Sequence, residues 1–377
     1  MISRKALKIS FISLVVILGL LLLTSVLIMK QAQFGKAPDK NRIELYSQLS
    51  NFENGKFQNQ IPTSNFVEGF NFWDILYRQL FKKANNTTPA VKIPSIKSDL
   101  LNLDPDKNIM VWFGHSSYFM QIDGKKILVD PVFSNNASPI RGTNKAFEGT
   151  NVYQVSDLPE IDFLFITHDH YDHLDYKSVM ALNPKVKKII CGLGVGSHFE
   201  HWGFDMNKIE EKNWYEKVEL GDDFSVYLEP TRHFSGRSIF RNNTLWTAYL
   251  LQTPSMKIYI GGDSGYAQHF SETGKKFGEI DLAILENGQS DEAWSHIHML
   301  PDEVLQAGQD LNAKRIFPVH SAKFNMANHA WDEPLSEITR LNQSLNLSLL
   351  TPMIGEIVDL NNENLDFKNW WENLEDY

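Results

Sequence analysis

The segment Ile161-Asp-Phe-Leu-Phe-Ile-Thr-His168-Asp169-His170-Tyr171-Asp172-His173 constrains this chain more than any other. A strand-like apolar run delivers the backbone into a loop that carries three histidines and two aspartates within six residues. A solvated polar loop rarely gathers three histidines straight after a buried strand. Neutral imidazole is the commonest metal ligand, so the pattern reads as a metal site. One loop cannot complete a coordination shell, and the fold must bring further ligands to it.

Candidates occur at equivalent places. His233 follows the run Phe224–Leu228 through Glu-Pro-Thr-Arg, Asp263 follows Lys257-Ile-Tyr-Ile-Gly-Gly, and His320 follows Arg315-Ile-Phe-Pro-Val. Each lies just past an apolar strand, where rigid strands end in loops that are free to vary. Gly261 and Gly262 are expected to let the backbone approach the metals at Asp263. Further strand-like runs begin at Ile109, Tyr118, Lys126, Lys188, Thr247 and Leu282, with helical spacing near Tyr176–Leu182, Pro301–Leu311 and Glu333–Leu341. Asp123-Gly124 and Asn242-Asn243 read as hairpin turns. The pattern is that of an α/β protein, with two sheets packed face to face and helices outside.

The chain has 377 residues and a formal charge of −10, which argues against nucleic acid as a partner. Its single cysteine, Cys191, ends a strand-like run and excludes any intramolecular disulfide. From Ile9 to Met29 no charge occurs over 21 residues, or about 32 Å of helix at 1.5 Å per residue, enough to cross a hydrocarbon core. Arg4, Lys5 and Lys8 precede this run, and no small-x-small cleavage site follows it. The expected organisation is a single-pass membrane anchor over 1–30, a connector packing on the core over 31–105, and a catalytic domain over 106–377. The basic tail leans towards an extracytoplasmic catalytic domain. Phe70, Phe72, Trp73 and Phe81 form either a lipid-facing patch or, as base rates favour, an inward-packed one.

The order His168-x-His170-x-Asp172-His173, then His233, Asp263 and His320, resembles the metallo-β-lactamase superfamily. The resemblance implies an αββα sandwich of two mixed sheets flanked by helices. It assigns His168, His170 and His233 to one divalent metal and Asp172, His173 and His320 to a second, with Asp263 bridging; zinc is the expected ion. Within the superfamily the chain looks like the branch of phospholipases D that hydrolyse N-acyl phosphatidylethanolamine. Trp112-Phe-Gly-His115-Ser-Ser, Asp130-Pro-Val-Phe-Ser, Gly262-Asp-Ser-Gly-Tyr266 and His298-Met-Leu-Pro-Asp-Glu carry that likeness, over roughly residues 65 to 345. It implies a phosphodiesterase acting on a lipid through a metal-bound hydroxide, with Asp172, Asp263 and His298 closest to the chemistry. The N-terminal anchor is not part of that family's pattern. No G-x-S-x-G motif supplies a rival nucleophile. Asp175 is expected to accept the outer N–H of a ligand imidazole or to cap a helix, and His115 to support the site. His198, His201, His269, His296 and His329 are expected only at the surface or in packing. The ligand set equally suits a lactonase or other esterase, and a non-catalytic membrane-anchored binding protein is the remaining alternative. The oligomeric state is not legible.

Overall fold

Apolar residues that alternate along a strand on both of its faces can be buried only between two layers, and that is where the long strands lie. The computed structural model describes residues 4–238 and 240–374; residues 1–3, Ile239 and 375–377, which include the outer ends of the expected anchor and catalytic segments, lie outside them. The N-terminal part holds α1 (Arg4–Met29), α2 (Lys40–Tyr46), the short hairpin of β1 (Phe52–Glu53) and β2 (Lys56–Phe57), and α3 (Phe72–Phe81). There follow β3 (Ile109–Trp112), β4 (Tyr118–Ile122), β5 (Lys125–Val129), β6 (Ile161–Ile166), α4 (Tyr176–Leu182), β7 (Val186–Gly192), α5 (Gly196–His201) and β8 (Ile209–Lys212). The remainder comprises β9 (Lys217–Gly221), β10 (Phe224–Glu229), β11 (Ala248–Gln252), β12 (Lys257–Ile260), α6 (His269–Phe277), β13 (Leu282–Glu286), α7 (Pro301–Asp310), β14 (Arg315–Val319), α8 (Glu333–Asn342), β15 (Ser348–Leu349) and β16 (Ile357–Asp359).

Two seven-stranded sheets result, ordered β16-β3-β4-β5-β6-β7-β8 and β15-β14-β13-β12-β11-β10-β9. Phe163 and Phe165 of β6 meet Tyr249, Leu251, Ile258 and Ile284 of the second sheet in the central core. Their neighbours Leu164 and Ile166 face outward onto Val179 and Leu182 of α4. On the far side Leu250, Ala283 and Leu285 pack against Phe270 of α6, Val304 and Leu305 of α7 and Ile338 of α8. The layers are therefore helix, sheet, sheet, helix, as the resemblance implies.

Strand direction decides where the functional loops emerge. In the first sheet β3 and β5 both pair antiparallel with β4, so they run the same way, and β6 is parallel to β5. In the second, β10 and β12 both pair antiparallel with β11, and β13 and β14 continue parallel to β12. The C-terminal ends of β3, β5 and β6, and those of β10, β12, β13 and β14, thus share one edge of their sheets.

Two expectations about loops are corrected. Asn242-Asn243 is not a hairpin turn: β10 and β11 pair antiparallel, but residues 230–247 between them form a long excursion, because this stretch carries His233 over the cleft. Gly261 and Gly262 do not make room for metals. A Cβ on Gly261 would lie 2.8 Å from the Ile284 carbonyl oxygen, and one on Gly262 2.9 Å from Thr167 Cβ. The glycines permit close approach between strands and between the two sheets.

In the 31–105 segment, Tyr46, Phe52 and Phe57 bury themselves against Trp214, Leu245 and Trp246. Lys323, fully buried after β14, ties the sheets together: its Nζ donates to the Phe113 oxygen (3.1 Å) and the Val132 oxygen (2.8 Å), in the loops after β3 and β5. Burial pushes this ammonium down to about 7. Its native pKa lies below the unfolded value of about 10.4, so between these values the unfolded chain binds more protons and stability rises with pH. Wild-type protein should therefore gain stability from about pH 7 to 10 more steeply than Lys323→Met, by up to roughly 1.4 kcal/mol per pH unit. Denaturant titrations at several pH values measure that slope; equal slopes would contradict a buried, titrating Lys323.

Candidate metal centre

All the candidate ligands emerge at the shared edge. β6 ends at Ile166 and delivers His168, His170, Asp172 and His173; β10 delivers His233, β12 Asp263 and β14 His320. Their donor atoms form groups within 4.8 Å: His168, His170, His233 and Asp263 in one, His115, Asp172, His173 and His320 in a second, and Asp263, Glu286, His298 and His320 in a third that overlaps both. The structure thus brings together all seven residues of the expected set. Asp263 lies centrally. Its Oδ2 is 3.2 Å from His173 Nε2 and 3.7 Å from both His168 Nε2 and His233 Nε2, while Oδ1 is 3.2 Å from His320 Nδ1.

Three polar atoms of this cluster are not satisfied by the protein. His173 Nε2, Asp263 Oδ1 and His320 Nε2 are buried without a hydrogen-bond partner, and buried polar groups seldom remain so. Burial, reinforced by neighbouring rings, holds His168, His233 and His320 well below the ordinary histidine range, and His170 is lowered too. These rings are neutral at pH 7, the form that ligates metal. Burial would raise Asp172 and Asp263, but His173 beside them holds both well below the usual carboxylate range. Burial would likewise lower His173; Asp263, Asp172 and Asp130 overcome it and raise the ring well above its ordinary value. Without a cation, then, a proton on His173 balances the acids. Imidazole and carboxylate donors around a negative, water-poor centre fit divalent cations of the zinc type.

A supporting layer fixes the ligands. Asp130 Oδ2 is 2.8 Å from His173 Nδ1 and is itself held by the Thr167 N–H, which donates to Oδ1 at 2.9 Å. Asp175, expected either to accept from a ligand imidazole or to cap a helix, does the second: it is the N-cap of α4, its carboxylate accepting from Ser178 and Ser134, and the imidazole falls to Asp130. The reason is direction, since β5 runs parallel beside β6 and ends with Asp130 under the histidine loop. Asp169, between two ligands, accepts from the Gly236 N–H (2.7 Å), Thr244 Oγ1 (2.9 Å) and His198 Nε2 (3.0 Å). His198 is thus part of the support. Asn59 of the N-terminal segment donates to the His233 oxygen (2.8 Å) and accepts from the His233 N–H (3.1 Å), while His233 Nδ1 faces the Ile297 oxygen at 2.9 Å.

His115 is fully buried, with Nε2 2.9 Å from Asp172 Oδ2 and its ring 4.1 Å from that of His320. His298 lines the cleft, stacked 5.3 Å from His320, with Nδ1 2.7 Å from Glu286 Oε2. Burial would lower His298, but Glu286 holds it up to about 9, and burial pushes Glu286 up to about 7. Glu286 escaped the sequence reading, although it ends the apolar run Leu282–Leu285 as the other site residues end theirs.

A family model described as beta-lactamase superfamily domain matches residues 125–321. An uncharacterized protein of Mycobacterium tuberculosis is 33% identical over 86% of this chain and 88% of its own length. The N-acyl-phosphatidylethanolamine-hydrolyzing phospholipase D 1 of Caenorhabditis elegans is 28% identical over 74% of this chain and 86% of its own. Among solved structures, an isothiocyanate hydrolase from Delia radicum gut bacteria aligns with a TM-score of 0.51 at 17% identity, covering 66% of this chain and 98% of that one; it shares the fold.

Asp130→Asn would keep the shape of this carboxylate and remove its charge. Outer-layer partners of metal-bound histidines typically contribute 10–100-fold to affinity, so zinc binding should weaken by roughly that factor in competition titrations with a chromophoric chelator. Unchanged affinity in a folded variant would remove Asp130 from the support.

Proposed function

Because the chain belongs to the metallo-β-lactamase superfamily of metal-dependent hydrolases, we propose that it is a binuclear phosphodiesterase of phospholipase D type, acting on N-acyl phosphatidylethanolamine-like lipids. The cleft carries this reading. It encloses about 280 Å³, with Asp263, His170, Asp172 and His320 among its metal-facing residues and Phe66, Phe234, Trp294, Ile297 and Met326 as apolar walls. Arg241, which lines the same cleft, lies with its guanidinium 5.0 Å from the Phe234 ring. An anionic group at the floor and an apolar chain leaving along the wall match a phosphodiester lipid. A neutral lactone presents no ground-state anion to Arg241, whereas a phosphodiester does. The C. elegans relative, named for that activity and matched over most of its length, supports the same reading.

In this proposal His168, His170 and His233 would hold one zinc ion and Asp172, His173 and His320 a second, with Asp263 available to both. Bound, such ions supply Lewis acidity and bring the pKa of water towards neutrality. His298 stands at the cleft with Nδ1 on Glu286, leaving its other nitrogen for a proton to the leaving oxygen. Arg241 faces the substrate's negative charge. The α1 helix, apolar from Ser10 to Met29 with none of that span buried in the protein, anchors the chain in a membrane, with the catalytic domain on the extracytoplasmic side.

Full-length protein should carry about two zinc ions per chain and cleave N-acyl phosphatidylethanolamine in preference to a lactone. Asp263→Asn should lose more than the roughly 100-fold typical of outer-layer partners. Metal with lactone cleavage alone would overturn the substrate, and neither metal nor turnover would overturn the enzyme. His298→Gln should keep its metal while kcat on the lipid falls by about 10²–10⁴. An unchanged kcat would exclude proton transfer by His298.

A further inference from the structure

At 3.6 residues per turn, one half of α3 carries Phe72, Trp73, Leu76, Tyr77, Leu80 and Phe81, and the other Asp74, Ile75, Arg78 and Gln79. A surface helix in water turns its apolar stripe to the core. Here the sense is reversed. Phe72 is 59% exposed, Trp73 72%, Tyr77 53%, Leu80 64% and Phe81 72%, and no residue of the helix is buried. The charged half faces the protein: Arg78 Nη1 lies 3.0 Å from Asp291 Oδ1, with its guanidinium over Phe70.

The helix is not loose. Asn71 caps it by accepting from the Trp73 and Asp74 N–H groups, and Asp74 returns a bond to the Asn71 N–H. At the other end Asn328 receives the Ala84 N–H (2.8 Å) and donates to the Lys82 oxygen (3.0 Å). The fold therefore fixes an aromatic face outward, and a patch of this kind marks an interaction surface.

We infer that this face of α3 docks into the interfacial layer of a lipid bilayer and seats the mouth of the metal cleft on the membrane. Large amphipathic aromatics followed by the exposed Lys82 and Lys83 have the composition of a bilayer-interface segment rather than of a dry subunit contact. The same chain carries the apolar helix from Ser10 to Met29. The patch is also tethered to the cleft: Asn65 and Phe66, which line it, lead through a short segment into α3, and the Val67 N–H of that segment donates to the Ala293 oxygen beside Trp294. A cleft of about 280 Å³ is at or below the lower end of ordinary ligand clefts, roughly 300–1,000 Å³. It holds a head group while the chains stay in an apolar phase next to it. The inference rests on the proposed anchor and lipid substrate for its consequence, but not for its test.

Full-length protein in proteoliposomes, with Tyr77→Cys carrying an environment-sensitive fluorophore, reads docking directly, because the native Cys191 is buried. Quenching by lipids brominated in the upper acyl chain is the expected result, whether or not any lipid is hydrolysed. A probe that stays in water overturns the inference. So does a probe shielded only by concentration-dependent self-association, which would assign the face to a second copy of the chain. In the double variant Trp73→Ser, Phe81→Ser, turnover of vesicle-borne N-acyl phosphatidylethanolamine should fall at least about tenfold, or 1.4 kcal/mol. Turnover of a soluble phosphodiester should stay unchanged; equal losses on both substrates would overturn the inference. Absence of lipid turnover in the parent protein would remove the proposed substrate and leave the quenching result to decide docking.

Discussion

Two carboxylates and five imidazoles converge from both sheets at the floor of one largely buried cleft, and most of the surrounding structure serves that convergence. Unpaired buried charge is expensive, and truly isolated buried ions are replaced by shifted protonation. The neutral rings of His168, His233 and His320 and the raised His173 are the protein's own response to it. Divalent metal ions would satisfy the same atoms with positive charge that the acids call for. The arrangement is attainable because the contributing strands run in one sense, so that their ends form a rim instead of being scattered over both edges.

Holding that rim together takes unusual backbone. His115, Asp130 and His320 all have positive φ (54°, 41° and 70°), a region that non-glycine residues seldom occupy and that is costly to hold. All three sit in the first turn after a strand. His115 and His320 fasten the two sheets to each other: the His115 N–H donates to the Ser321 oxygen at 2.9 Å and the His320 N–H to the His115 oxygen at 3.0 Å. Lys323 adds its bonds across the same seam. The strained turns at His115 and His320 are thereby held by each other and by Lys323 across the seam.

The chain leaving α1 belongs to the same support. The Ala32 oxygen accepts from Trp202 Nε1 at 2.7 Å, the Gln33 oxygen from Arg237 Nη2 at 2.7 Å, and the Lys36 N–H donates to His198 Nδ1 at 3.0 Å. His198 and Arg237 both contact Asp169 in turn. The segment after the apolar helix is therefore joined through two side chains to Asp169, between the candidate ligands His168 and His170. Any truncation meant to release the domain has to keep residues 32–36.

Much of the candidate site was legible in the chain itself. His168, His170, Asp172 and His173 are adjacent, and adjacency after an apolar strand is a local pattern. His233, Asp263 and His320 were found because apolar runs mark where strands end, and the reversal of direction at β4 and β11 makes those ends meet. Asp130, Glu286, Asn59 and Asp169 escaped assignment, since their roles depend on which strand lies beside which and on a segment from elsewhere in the chain. Asp175 stayed open between a histidine partner and a helix cap, because two residues of separation do not say which way a carboxylate turns. The orientation of α3 was equally out of reach: its spacing displays an apolar face, yet only the pairing of Arg78 with Asp291 decides that this face turns away from the protein. Sequence determined the ligand types, the strand ends that carry them and the apolar span at the N-terminus, because covalent order and hydrophobic period are local. The tertiary structure alone decided the partners of each ligand and the direction of each face, because those follow from contacts between residues far apart in the chain.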